Sequence, residues 1–572
     1  MSVEKLTEFI KAARGETPAD IVLKGAKVVN VFSGEMVKGD VAIHGHRIAG
    51  IGDYDGNEVV ELDGGFLVPG LIDSHVHIES SMVSPVQYAR GVLPRGTTTV
   101  FCDPHEIANV MGMEGIDIML KLSAGLPLSV FVNAPSCVPA TDMETSGATL
   151  TAEDIAKILE LERVVGLAEM MNFPGVIFAV PDVLKKLVAA SGRIIDGHAP
   201  GLCGKDLEAY AGAGIMSDHE CTTPEEAKNK LAAGMYIMIR EGTGARNLDA
   251  LLPMVTNSNE RRIMFASDDL HPAELLRRGH IDYMVRRAMK FGRDPICAIR
   301  MGSLNAAQYF RKWDIGGIAP GYQADILWMK DLKEFEPAMV WANGILVAQS
   351  GEIIPGEWES TSVSCRNTMN PAPFTAADFV VEVKAGESAH IIGLIPGQLV
   401  TENIVEKLKV EKNLAVADTE RDILKLAVIE RHKATGNIGL GFVRGFGLQR
   451  GAIAGSIGHD SHNLTVVGTN DADMDLAAKA VIGMHGGFAA VVDGKILGSI
   501  ELPLAGLMSY GLIEDVDLQM TGLKEIAHKM GCKIDDPFMI LGFLALPVIP
   551  HLKLTDKGLV DVDKFKLIDL FA

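Results

Sequence analysis

The chain has 572 residues, 48% of them hydrophobic, with a net charge of −21 at pH 7 and a pI near 5.2. That length exceeds what one hydrophobic core organises, so about three domains are expected. The acidic balance opposes contact with a nucleic-acid backbone, which calls for a basic face, so no nucleic-acid partner is expected. The seven cysteines are scattered, with no Cys-x-x-Cys pair. Together with the lack of a leader pattern or a membrane-length apolar run, they read as a soluble cytoplasmic protein without a membrane partner.

Residues 20–66 alternate apolar and polar positions between glycine-containing turns and predict a small β-domain. Within it, His44-Gly45-His46 sits between two strand-like runs and reads as a hairpin turn rather than a ligand pair. From Leu71 onward strand-like and helix-like segments alternate. Strands are predicted before His75 and at 97–102, 128–132, 164–169, 193–198, 214–219, 235–240 and 262–267. Helices are expected at 181–190 and 224–232, each with proline in its first turn, where the missing N–H is harmless. The expected fold class is α/β, with residues 68–314 forming a distorted (β/α)8 TIM barrel. Segments 316–328 and 338–347 return to strand character and complete a split small β-sandwich domain of residues 1–67 plus 315–360. A polar stretch at 360–373 reads as a linker, and residues 361–572 as an additional C-terminal α+β domain.

The chemistry gathers at predicted strand ends. His75 and His77 are two apart on one strand and face the same way. Sixteen histidines in 572 residues give about half of one such His-x-His pair by chance, so the pair gains meaning only from matching residues at later strand ends. Glu169, His198, His219 and Asp268 close those strands, where a barrel of this kind does its work. Four imidazoles and two carboxylates suit a pair of divalent ions. Any one of these histidines alone would read as an ordinary buried side chain. His105 and Glu106 are consistent with capping a helix near Ile107 or with a place in the site. The loop Gly455-Ser-Ile-Gly-His-Asp-Ser-His-Asn463 reads first as a tight turn. It also suits a cover over the substrate, with His459, Asp460 and His462 touching it. Met235, Met238 and Met254 read as core.

The pattern resembles the amidohydrolase superfamily and, within it, the adenine deaminases. The resemblance is carried by Asp73-Ser-His-Val-His-Ile-Glu-Ser-Ser81, Phe101-Cys-Asp-Pro-His-Glu-Ile-Ala-Asn109, Gly166-Leu-Ala-Glu-Met-Met-Asn172 and Ala266-Ser-Asp-Asp-Leu-His271, together with the long C-terminal domain. It implies metal ligation by His75, His77, a bridging Glu169, His198, His219 and Asp268, with Asp268 also acting as general base and then acid on free adenine. The expected cofactors are two divalent ions, manganese or iron before zinc, and the expected assembly is a homodimer. The segment His198-Ala-Pro-Gly201 lacks the glutamate that several deaminating relatives place three residues after this histidine, so a second proton donor is sought elsewhere. Glu106 and Glu241 head the candidates, with Glu79 and Glu220 also near strand ends. His105, His459, Asp460 and His462 are the expected substrate contacts.

Two rival functions are weighed. A cyclic-amide hydrolase of the dihydroorotase or hydantoinase kind would use the same barrel but usually carries a lysine where this chain has Glu169. A non-catalytic barrel scaffold would have no use for six ligands and a base. A cytidine-deaminase-type zinc site is excluded because no Pro-Cys-x-x-Cys follows His77-Ile-Glu79.

Overall fold

In the computed structural model, which describes residues 2–383 and 387–572, eight short strands surround one axis. They are β1 (Leu71–Val76), β2 (Thr97–Cys102), β3 (Ser129–Ala134), β4 (Val164–Met170), β5 (Ile194–Gly197), β6 (Ser217–Asp218), β7 (Tyr236–Arg240) and β8 (Ile263–Ala266). β1 and β2 are buried along their whole length, as parallel strands with both faces covered must be. β5 through β1 form one five-stranded parallel sheet and β6 through β8 a second of three strands.

Two thinner seams join these sheets, and they are the distortion of the barrel. At one, the Asp268 N–H donates to the His75 carbonyl at 3.0 Å; at the other, the Met216 N–H donates to the Ile195 carbonyl at 2.9 Å. β6 is shorter than the expected 214–219. Gly214 sits at φ +99°, outside the extended region. The expected helices appear as Pro181–Ala189 and Pro224–Ala232, the latter capped by Thr223. Ile72, Phe101, Met238 and Met264 fill the barrel, which Tyr309 and Phe310 close from below. Met235 and Met254 are buried in the surrounding core.

Strand Phe66–Pro69, just before the barrel, pairs antiparallel with Ile326–Met329, just after it, matching Pro69 to Ile326. The two flanks of the barrel therefore share one seven-stranded sheet. Strands Asp40–His44 and Arg47–Gly52 pair His44 with Arg47, leaving Gly45 at φ +60° and His46 as the turn between them.

Residues 361–375 carry no regular secondary structure and lead to an eight-stranded sheet in the C-terminal region. Two of its strands, Ala452–Gly455 and Leu464–Gly468, form a hairpin that pairs Gly455 with Thr465. The hairpin's loop, 456–463, reaches the barrel. Asn463 donates to the Thr145 carbonyl at 2.8 Å, and nearby Ser509 exchanges backbone hydrogen bonds with Met82 and Ser84. No helix among the described residues is long and apolar enough to cross a membrane.

Candidate active site

The ends of β1, β4, β5, β6 and β8 bring six side chains to one point. His75 Nε2 and His77 Nε2 lie 3.2 Å apart. Glu169 Oε1 is 3.8 Å from the first and 3.3 Å from the second, and Asp268 Oδ1 is 3.6 and 3.1 Å away from them. The other oxygen of Glu169 faces His198 Nδ1 at 2.6 Å and His219 Nε2 at 3.2 Å. Glu169 thus bridges two half-sites, His75/His77/Asp268 and His198/His219. All but His198 are buried.

Hydrogen bonds on the far ring nitrogens test whether these imidazoles can bind metal. His77 Nδ1 faces the Asp103 carbonyl at 2.9 Å. A carbonyl only accepts, so Nδ1 carries the proton and Nε2 turns its lone pair into the cluster, the arrangement a metal ligand needs. Among the described residues, His75 and His219 have no hydrogen-bond partner on Nδ1, so nothing on that side fixes which of their nitrogens carries the proton. Lone pairs and carboxylates converging at this spacing repel one another without a cation between them. The donor set therefore fits two divalent ions.

A second convergence forms around Glu106, in the first turn of helix His105–Met111. The hairpin loop brings His459 Nδ1 to 2.9 Å from Glu106 Oε1 and His462 Nε2 into close contact with Oε2. Residue types alone would make this a third metal site. The His462 tautomer argues against it: the Gly458 N–H donates to His462 Nδ1 at 3.3 Å, which leaves the ring proton on Nε2, the nitrogen that lies against Glu106 without a hydrogen bond to it. Burial pushes His462 down to about 4 and keeps it neutral. Burial also opposes charge on His459, but Glu106 outweighs it and lifts the imidazole to about 9. Glu106 in turn is held well below the usual carboxylate range by the two histidines, against its burial. The result is a buried glutamate–imidazolium pair with a neutral second imidazole against it.

The remaining expected residues sort by position. His105 links the two clusters, with Nδ1 3.4 Å from Glu169 and 3.2 Å from Asp103, and Nε2 3.5 Å from Glu106. Asp460 is buried, and its Oδ2 has no hydrogen-bond partner among the described residues. Glu79 is raised to about 7 by burial and accepts the Ile107 N–H. Glu241 departs from expectation. Its carboxylate is taken up by Arg278 and by the Leu248 N–H at 3.2 Å, so that both of its oxygens are engaged outside the Glu169 cluster. Glu106 takes the hydrogen bond from His459 Nδ1 and lies against His462 Nε2, and the two histidines favour its ionised form.

Sequence reasoning missed Arg240, at the end of β7. It donates to Asp268 Oδ2 at 2.9 Å and grips Glu220. The strand-end rule that found the ligands would have found Arg240 had basic residues been admitted to it. A cavity of about 390 Å³ opens over both clusters, walled on the barrel side by Met171, Phe173 and Glu220 and on the C-terminal side by Leu399, Asp460 and Phe543. The ring of His459 stacks on Phe543 with centroids 4.3 Å apart.

The amidohydrolase family model matches residues 66–347, and that of the adenine deaminase C-terminal domain matches residues 398–566. An adenine deaminase of Desulfatibacillum aliphaticivorans is 55% identical over 566 residues, covering 99% of each chain. One from Methanothrix thermoacetophila is 48% identical over 99% of this chain and 100% of its own. A solved β-aspartyl dipeptidase of Fervidobacterium islandicum overlays 59% of this chain and 99% of its own, with a TM-score of 0.45 and 19% identity. By its full-length likeness to these deaminases, the chain belongs to the adenine deaminase group of the amidohydrolase family.

Proposed function

We propose that the protein deaminates free adenine hydrolytically to hypoxanthine and ammonia. The observation that carries this is the six-ligand convergence on Glu169, in a chain matching proteins named adenine deaminase over nearly its whole length. Two divalent ions held by His75, His77, Glu169, His198, His219 and Asp268 would supply the Lewis acidity that makes water nucleophilic near neutral pH. Manganese or iron is proposed, with zinc as the alternative.

Asp268 takes one proton from the attacking water as its oxygen bonds to carbon 6 of adenine. Arg240 fixes the second oxygen of Asp268. His459, charged and held by Glu106, gives a proton to the adjacent ring nitrogen, so the C=N electrons move onto that nitrogen. Asp268 then passes its proton to the amino group, the carbon–nitrogen bond breaks and ammonia leaves. The remaining water proton returns to His459 as the carbonyl forms. His105, Asp460 and His462 line and order the base, and closure by the loop excludes bulk water.

The division into residues 1–67 with 315–360, 68–314 and 361–572 belongs to the same proposal, as do a cytoplasmic location, supported by seven free cysteines, and a homodimer, read by light scattering. The deciding experiment incubates metal-quantified protein with adenine, dihydroorotate and hydantoin. Ammonia from adenine with both other rings intact is expected; ring opening without adenine turnover would replace this reading with a cyclic-amide hydrolase. Glu169, where those relatives carry lysine, speaks against that outcome.

A further inference from the structure

Arg431 is completely buried, and among the described residues no carboxylate lies within ion-pair distance of it. The adjacent Glu430 is engaged elsewhere, accepting the backbone N–H groups of His432, Lys433 and Thr435. A buried guanidinium without a counter-charge is costly unless its donors are well used, and here they are. Nε donates to the His462 carbonyl, Nη1 to Thr368 Oγ1 at 3.0 Å, and Nη2 to the Ala505 carbonyl at 3.1 Å. The backbone joins in: the Arg431 N–H reaches Asn463 Oδ1 at 3.3 Å, and the Arg431 carbonyl accepts the Asn370 N–H at 2.8 Å. Gly506 makes the room, because a Cβ at that position would stand 2.7 Å from Nη1.

We infer that Arg431 is a positioning residue for adenine turnover, pinning the 456–463 loop so that His462 and His459 meet Glu106. It draws together the segment around 368, the hairpin loop and the 505 turn, three stretches that share no strand pairing among the described residues. Its charge, lying behind His462, also disfavours protonation of that ring, in keeping with the Nε2–H tautomer set by Gly458. Lysine cannot replace it, since one ammonium cannot span three acceptors in a planar fork.

This inference rests on the reading that the loop belongs to the adenine site, and the experiment separates the two. Full-length Arg431→Gln and Arg431→Lys, with Thr368→Val as a milder variant losing one acceptor, are loaded with metal and assayed on adenine. Histidine ¹⁵N NMR reports the His462 tautomer. The arginine variants are expected to keep two metal equivalents, lose about 10- to 100-fold in kcat/KM, the range typical for loss of an outer hydrogen-bond partner, and lose the His462 Nε2–H signal. Thr368→Val should fall between them and the parent. Unchanged turnover in folded arginine variants, lost turnover with the tautomer signal intact, or metal loss in step with activity would each overturn the assignment. If the arginine variants fail to fold, a parent-like Thr368→Val overturns it alone. Full activity of His459→Ala with His462→Ala would instead defeat the underlying reading of the loop.

Discussion

Two clusters of histidine and carboxylate lie side by side in the barrel mouth, and they differ in where their protons sit. Around Glu169, the far nitrogen of His77 meets a carbonyl and the near one offers a lone pair. Around Glu106, the far nitrogen of His462 meets an N–H and the near one offers a proton. The lesson is that residue type and spacing do not by themselves define a metal site; where a hydrogen bond fixes the far side of a ring, as in His77 and His462, it decides what the near side can do. The first cluster fits cations, whereas the second holds a charged pair of its own side chains.

The contrast can be broken experimentally. The largest effect is expected from Asp268→Asn, which keeps volume but deletes the proton acceptor. Turnover should fall at least about 100-fold, with circular dichroism unchanged, and activity close to parent would move the base to Asp269.

Next comes a metal count on Glu169→Gln beside His462→Ala. The first loses the bridging charge and should drop below two equivalents. The second should retain both while losing about 10- to 100-fold in kcat/KM. Equal metal loss in both variants would erase the distinction between the clusters.

A smaller effect is expected with pH. The folded protein lifts His459 from its usual 6.5 to about 9, so its pairing with Glu106 stabilises the fold fully below about 6.5 and is lost as pH rises towards 9. Turnover should decline through the same alkaline window, and that limb should vanish in His459→Gln. A profile unchanged by that substitution removes His459 as the donor.

The smallest effect on turnover belongs to Glu241→Gln. Kinetics should stay within about threefold of parent, well under one kcal/mol, while thermal stability falls as Arg278 loses its partner, by about 1–3 kcal/mol. A large kinetic loss would return Glu241 to the chemistry.

Much of this is legible in the residues. Continuous apolar runs ending in His, Glu or Asp locate β1, β4, β5, β6 and β8 with their functional ends, since strand period and barrel polarity are local rules. His44 and His46 are recognisable as a turn for the same reason. The surroundings of Glu241 and Glu106 are not, because the partners of each lie far along the chain: Arg278 for one, His459 and His462 for the other. Arg240 escapes because a strand-end pattern of ligands and acids passes over a base. The His462 tautomer depends on an N–H four residues away in a folded loop, and no pattern announces it.

The distance in sequence between Glu106 and His459, 353 positions, has a consequence for how the protein is made. Ribosomes build the chain from its N-terminus, so every residue of the Glu169 cluster is synthesised before the loop that completes the Glu106 cluster. At about 5–20 residues per second, the stretch from Asp268 to His459 takes roughly 10 to 40 s. Throughout that interval the chain carries all six residues of the Glu169 cluster but neither His459 nor His462. On the proposed reading, all six metal ligands are thus made before the loop that carries His459 and His462.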